Sequence, residues 1–275
     1  MSRLRLKNKY IFLAGILLFL SMYIYLIIDS PNIINTFIYR EVPIEFSNLN
    51  DYIYTAFHFD TFVSTISDPL QLMLPIIAVI PTLHFQEELH HYFHHYLMRK
   101  NNYKKEVIKS LFLNSCIISL YIYFFYVIIL VFSSFIFPIS NDTLIVHDLL
   151  SGFVGQQFFF HHRLFYYFIA GIFEILLPCF VNALLAMTLS FIYQKAYMPF
   201  VITYVYYIFM SMFIPVIAEA THLVFIYYFS PVIMLYTNAL SNPSIPLMLL
   251  GYTQYILIIS MLLWMIFKSK ERVYG

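Results

Sequence analysis

Six long apolar stretches constrain this sequence more than any other feature. A helix needs about 20 mostly apolar residues to cross the roughly 30 Å hydrocarbon layer of a membrane. Six stretches qualify, at about residues 10–28, 70–85, 107–137, 165–193, 198–218 and 247–267. Hydrophobic residues make up 61% of the chain and charged residues 11%, against roughly a quarter charged in a soluble domain. The sequence therefore predicts an all-α polytopic membrane protein with six transmembrane helices, in one domain over residues 1–275.

The distribution of basic residues predicts the orientation of these spans. Lysine and arginine near the ends of spans are retained on the cytoplasmic side. With the amino terminus inside, the six-span arrangement leaves 13 of the 15 basic residues in the cytoplasm, and only Arg40 and Arg163 outside. We therefore expect a multi-pass protein of the cell membrane with both termini cytoplasmic. The outer loops cover about residues 29–69 and 138–164, and the net charge of +1 gives no reason to expect a nucleic-acid partner.

The connection between the second and third spans has the pattern of an amphipathic helix. Its apolar positions recur at helical spacing, while its other face carries two glutamates and four histidines. The apolar positions are Phe85, Leu89, Tyr92, Phe93, Tyr96 and Leu97, and the polar ones are Glu87, Glu88, His90, His91, His94 and His95. We expect this helix to lie along the cytoplasmic membrane surface. Before the last span, the apolar stretch 223–235 is too short to cross and predicts a short helix or re-entrant segment.

Three short motifs in this layout carry a family resemblance. They are Phe85-Gln86-Glu87-Glu88, the connector Lys104-Lys105-Glu106-Val107-Ile108-Lys109, and Phe229-Ser230-Pro231. In combination with the six spans, they resemble the type-2 permease family of ATP-binding-cassette (ABC) exporters. Members of that family commonly have a glycine a few residues after the glutamate, where this chain has histidines. Either Glu87 or Glu88 can therefore correspond to the family's glutamate.

The resemblance implies a transporter subunit rather than an enzyme. The chain has no Gly-x-x-x-x-Gly-Lys-[Ser/Thr] phosphate loop, so ATP and Mg²⁺ would belong to a separate ABC ATPase subunit, with no cofactor in this chain. A second permease copy or a paralogue would complete the assembly. The substrate would be amphipathic or hydrophobic, such as a peptide or a lipid-like compound. The residues expected to couple the permease to its ATPase are Glu87, Glu88, His91, Phe93 and Leu97.

Two further groups of polar residues suggest sites. Glu174 lies inside the fourth span, where a charge costs at least about 2.5 kcal/mol on insertion scales. With Asn182, it is either part of a transport pathway or a neutral group hydrogen-bonded between helices. The i, i+4 pairs within residues 90–95 could share a metal ion. A polar face that docks on a partner is the favoured interpretation, since no third ligand motif lies nearby.

Two other functions are compatible with parts of the sequence. Glu87-Glu88 and the Phe-x-x-x-His pattern of Phe158 and His162 imitate the motifs of an intramembrane metalloprotease. Zinc ligands must converge to about 2 Å from the metal, whereas these residues are predicted at opposite membrane faces, roughly 30 Å apart. A non-transporting membrane sensor with the same fold is the third interpretation.

Overall fold

The computed structural model describes residues 8–39, 58–89, 103–137, 139, 156–195, 197–231 and 249–274. Every regular element within these ranges is a helix, which confirms the all-α prediction for this part of the chain. The elements are α1 (Asn8–Tyr39), α2 (Phe59–Val79), α3 (Thr82–Glu88), α4 (Tyr103–Ile136), α5 (Gln156–His161), α6 (Arg163–Gly171), a π-helical segment (Ile172–Leu176), α7 (Leu177–Ser190), α8 (Tyr197–Thr221), a 3₁₀-helix (Val224–Phe229) and α9 (Leu250–Tyr274).

Four helical stretches are long and apolar enough to cross a membrane. They are Tyr103–Ile136, Arg163–Ser190, Tyr197–Thr221 and Leu250–Ser269, and they match the third to sixth predicted spans. Large apolar side chains are exposed along them, including Phe124 on α4, Phe209 on α8 and Trp264 on α9. Soluble monomers rarely expose contiguous apolar surface on this scale. The described helices are therefore those expected of a membrane protein.

The first two predicted spans differ from the helices of the structure. α1 continues to Tyr39 instead of ending near residue 28, since apolar residues return at helical spacing after Pro31, at Ile33, Ile34 and Phe37. α2 begins at Phe59 instead of residue 70. The sequence did not indicate this earlier start, because polar residues in the first turns lower the average hydropathy there. Much of the predicted first outer loop is therefore helical.

The central helix of the described bundle is α7, which packs against α2, α3, α4, α8 and α9. Small residues allow neighbouring helices to approach closely. Gly15 of α1 faces the ring of Phe125, and Gly171 of α6 lies so close to Tyr126 that a Cβ would overlap the ring. Lipid tails are as apolar as leucine, so helices in a membrane associate mainly through such packing and through interhelical hydrogen bonds.

The two ends of the bundle differ in charge. One end contains the beginnings of α1 and α4, the junction of α2 with α3, and the ends of α7 and α9. Side chains and carbonyls join these elements in the pairs Tyr10–Glu87, Gln86–Tyr193 and Tyr103–Phe267. The exposed lysines of this "basic end" are Lys9, Lys104, Lys105, Lys195 and Lys268. The opposite end, where α2 and α6 begin, contains a buried ion pair between Asp60 and Arg163.

The segment after α8 contains the short helix that the sequence suggested. α8 ends at Thr221, the next residue, His222, has a left-handed φ of 56°, and the amide of Leu223 donates to the carbonyl of Ala218. This is the Schellman pattern of a helix end, with His222 as the left-handed residue. The 3₁₀-helix follows and packs on α8 and α9. A re-entrant path after residue 231 lies outside the described residues.

Candidate functional site

The helix is interrupted at Ile80 and Pro81, between α2 and α3, and we call residues 80–89 the elbow. Pro81 has no backbone N–H, so it cannot continue the hydrogen-bond ladder of α2. The hydroxyl of Thr82 donates to the carbonyl of Val79 at 2.6 Å, and the amide of Leu83 donates to that of Ile80 at 3.2 Å. These two bonds connect the first residues of α3 to the last carbonyls of α2. Ile80 and Pro81 both keep right-handed helical dihedrals, so the elbow is a break in the hydrogen-bond ladder rather than a loop.

Glu87 is an exposed acidic residue of the elbow, with 43% of its side chain accessible. The hydroxyl of Tyr10 donates to Glu87 Oε1 at 3.0 Å. His84 Nδ1 lies 3.4 Å from Glu87 Oε2, and the His84 ring is stacked on the Tyr10 ring with centroids 6.3 Å apart. Glu87 is therefore connected to the beginning of α1 while part of its carboxylate faces outward.

The opposite face of the elbow is buried against the end of α7. Gln86 donates from its amide to the carbonyl of Tyr193 at 3.0 Å, and the ring of Phe85 lies 6.0 Å from that of Phe191. Phe85 and Leu89 are both buried, as their helical spacing predicts. The elbow is held between α1 and the segment that follows α7, so a displacement of α3 would act on both.

The predicted coupling residues are only partly covered by the structure. Glu87 is described in full, and the backbone of Glu88 is helical. His91, Phe93 and Leu97 lie outside the described residues, as do the histidines at 90, 94 and 95. Their assignment to coupling stays a prediction. Contact of the elbow with α1 through Tyr10 was not predicted, because nothing in one sequence pairs residues 77 positions apart.

Glu174 lies in the π-helical segment between α6 and α7. Segments of this kind widen the helix by one residue and occur often at functional sites. Tyrosines from neighbouring helices donate to carbonyls in or beside it: Tyr252 to Phe173 at 3.1 Å, and Tyr123 to Phe168 at 2.7 Å. Tyr126 and Tyr252 lie close enough to Glu174 for its charge to act on them. Glu174 therefore has a polar, tyrosine-rich environment.

Asn182, the other predicted pathway residue, has a structural role in α7. Its amide group donates to the carbonyl of Pro178 at 2.9 Å, and its carbonyl oxygen accepts from the hydroxyl of Tyr255 at 3.3 Å. Among the described residues, its hydrogen bonds therefore join α7 to α9 rather than to Glu174. Whether either residue lines a pathway stays a prediction.

A buried polar cluster lies at the end of the bundle opposite the elbow. Arg163 Nη1 donates to Asp60 Oδ2 at 2.6 Å, and the Tyr167 hydroxyl donates to Asp60 Oδ1 at 3.1 Å. His58 Nδ1 accepts from the backbone amide of Asp60 at 3.2 Å and so caps the start of α2. The Arg163 guanidinium also lies over the Phe159 ring, 5.6 Å from its centroid. We call these five residues the Asp60 cluster.

The protonation of His58 follows from this geometry. A ring nitrogen that accepts a hydrogen bond must be unprotonated. Burial lowers the pKa of His58, and the charge of Arg163 lowers it further, against the opposing effect of Asp60. His58 is therefore neutral at pH 7, and Arg163 is the group that compensates the charge of Asp60.

The Asp60 cluster was not predicted from the sequence, although one signal pointed to it. Arg163 is one of only two basic residues that the six-span arrangement leaves outside. Asp60 was one of several acidic residues in the predicted first outer loop, with no indication of a partner 103 positions away.

The geometry required of a zinc protease is not present in the described part of the chain. His162 directly precedes α6, whereas Glu87 lies beside residues that follow α7. The stretch Arg163–Ser190 has 28 residues, which corresponds to roughly 42 Å of helix. The described residues also contain no group of three or more His, Cys, Asp or Glu placed to hold a metal ion.

Comparison with known proteins gives no further assignment. No protein-family model, curated protein or solved structure matches this chain.

Proposed function

We propose that this protein is the membrane-spanning permease subunit of an ABC exporter, with six spans and both termini in the cytoplasm. The four long apolar stretches described above would provide four of the spans. α1 and the α2–α3 pair would provide the other two, since each contains a shorter apolar helix, at Lys9–Ile24 and Leu72–Glu87. The observation that carries the proposal is the elbow, which presents Glu87 next to the second span and connects it to α1 and α7.

The charge distribution supports the proposed orientation. Exposed lysines from the beginnings of α1 and α4 and from the ends of α7 and α9 collect at the basic end. Lysine and arginine flanking spans favour the cytoplasmic side. The elbow belongs to the same end, so it would face the cytoplasm, where an ATPase subunit operates. The Asp60 cluster would then lie at the extracytoplasmic end.

Coupling would follow from the contacts of the elbow. Closure of the ATPase on ATP would push on the exposed part of Glu87, at the end of α3. The hydrogen bond from Tyr10 would transmit this movement to α1, and the bond from Gln86 would transmit it to the end of α7. The break at Pro81 would permit α3 to move with less disturbance of α2, because the proline supplies no N–H to the backbone ladder that joins them.

The proposal is tested by coexpression with a candidate ABC ATPase and reconstitution of the purified complex. We expect no ATP hydrolysis from this chain alone, and hydrolysis with transport from the complex. Glu87→Ala and Glu88→Ala together should lower transport-linked hydrolysis with assembly retained, whereas polar replacements of Phe93 and Leu97 should weaken assembly. Glu219→Ala, a change of an exposed glutamate on α8, is the control. Hydrolysis by the isolated chain, or full coupling in the double variant, would contradict the proposal.

A further inference from the structure

Arg163 uses only part of its hydrogen-bonding capacity within the Asp60 cluster. Its side chain is 2% exposed, and Nη1 donates to Asp60. Nε and Nη2 are also buried, but they have no hydrogen-bond partner in the part of the chain that the structure describes. These two nitrogens form one edge of the planar guanidinium, and their N–H bonds are parallel. This is the geometry that receives both oxygens of a carboxylate or phosphate.

Two helix ends add to the attraction for a negative charge at this place. α2 begins at Phe59 and α6 begins at Arg163 itself. The first turn of a helix carries unsatisfied N–H groups and the positive end of the helix dipole. Asp60 neutralises the charge of the guanidinium, and His58 is neutral, so the cluster contains no second anion that would repel a ligand.

We propose that the Nε–Nη2 edge of Arg163 binds an oxyanion, either a carboxylate or a phosphate group. Arg163 is the first residue of the 28-residue apolar stretch Arg163–Ser190, so the site lies at the level of the membrane interface. Both a lipid headgroup and a water-soluble anion can reach this level. The edge is buried, so binding requires a local opening of the structure around Arg163. The site is independent of the proposed permease function and uses none of the coupling residues.

Thermal unfolding of the full-length chain in a phosphate-free maltoside detergent tests this site. A ligand that binds the folded protein raises the unfolding midpoint as its concentration increases. The probes are sodium acetate, inorganic phosphate and a short-chain phosphatidylglycerol, each compared with sodium chloride at the same ionic strength. A saturable increase with acetate or phosphate identifies a soluble ligand, and one with phosphatidylglycerol alone identifies a lipid headgroup. Absence of any increase beyond that of chloride would overturn the proposal.

Arg163→Lys locates the response, since lysine keeps the charge opposite Asp60 but has no planar edge. Loss of a charge-assisted hydrogen bond should weaken the apparent affinity by about tenfold or more. Arg40→Lys, the same change at the other basic residue predicted outside, should bind as the parent does. An Arg163→Lys protein that responds like the parent would contradict the assignment.

A second variant keeps the test decisive if Arg163→Lys does not fold. Asp60→Asn leaves Arg163 intact and removes the carboxylate that shares its charge. Its affinity for the probe that stabilises the parent should increase several-fold, because the guanidinium charge is no longer compensated. An unchanged or weaker affinity would show that the anion binds elsewhere.

Discussion

Replacing Tyr10 with phenylalanine removes one hydroxyl from the elbow and leaves the rest of the side chain in place. The hydroxyl donates to Glu87 Oε1 at 3.0 Å, and the ring that stacks on His84 is retained. A hydrogen bond to a charged group contributes about 1.5–3 kcal/mol. Glu87 is 43% exposed, so water competes for its carboxylate and we expect about 0.5–1 kcal/mol. If the bond transmits the movement of α3, its loss should reduce coupling by roughly two- to fivefold.

The measurement is transport-linked ATP hydrolysis by the reconstituted complex, with copurification of the ATPase as the measure of assembly. Tyr227→Phe is a matched control, because the Tyr227 hydroxyl also donates to a glutamate, Glu219 Oε1, at 3.4 Å. This pair does not belong to the elbow. We expect Tyr10→Phe to lower coupling with assembly unchanged, and Tyr227→Phe to change neither. Equal coupling in the parent and in Tyr10→Phe would show that α1 does not receive the movement through this bond.

Three further predictions concern stability, each measured by thermal unfolding in detergent. Gly171→Ala should destabilise the protein by about 1–3 kcal/mol through overpacking against the buried Tyr126 ring. Gly15→Ala should be nearly neutral, because the new Cβ would meet the ring of Phe125 at 3.2 Å and this ring can shift. Equal effects of the two substitutions would contradict this account. His222→Gly should stabilise by about 0.5–1 kcal/mol by relieving the left-handed conformation, and a lowered midpoint would refute it. Acidification below pH 6.5 should destabilise the parent. The pKa of His58 is lowered in the folded protein, so the unfolded chain binds a proton there that the folded protein does not. His58→Asn, which keeps a capping side chain, should reduce this loss of stability, and an equal loss in both proteins would exclude His58 as its cause.

The long spans were predictable from the sequence, and the exceptions have physical causes. α4 and α8 lie within a few residues of their predicted positions, because an uninterrupted apolar run leaves no alternative in a membrane. The beginning of α2 was missed because Asp60 is buried as a partner of Arg163, and its polarity suggests a loop when it is considered alone. The π-helical segment was not predicted, because one extra residue in a helical turn leaves the average hydropathy of the span unchanged.

The candidate functional site was partly predictable for the same reasons. Phe85 and Leu89 were assigned to the apolar face of a helix on the membrane surface, and in the structure both are buried against other parts of the protein. The break at Pro81 was missed, since the second span was predicted to continue to about residue 85, whereas α2 ends at Val79 and α3 begins at Thr82. The contacts of Glu87 with Tyr10 and of Gln86 with Tyr193 join residues 77 and 107 positions apart. Such pairs depend on how the helices pack, which a single sequence does not encode in any local pattern.

The π-helical segment Ile172–Leu176 sets the rotational phase of the helix that precedes it. A π-bulge amounts to one residue added to an α-helix, and each residue turns a helix by about 100° and advances it by about 1.5 Å. If α7 keeps its contacts at the centre of the bundle, deletion of one residue here would rotate α6 by that angle. Arg163 would then turn away from Asp60. One surplus residue inside the span thus determines which side chains α6 presents at the far end of the bundle.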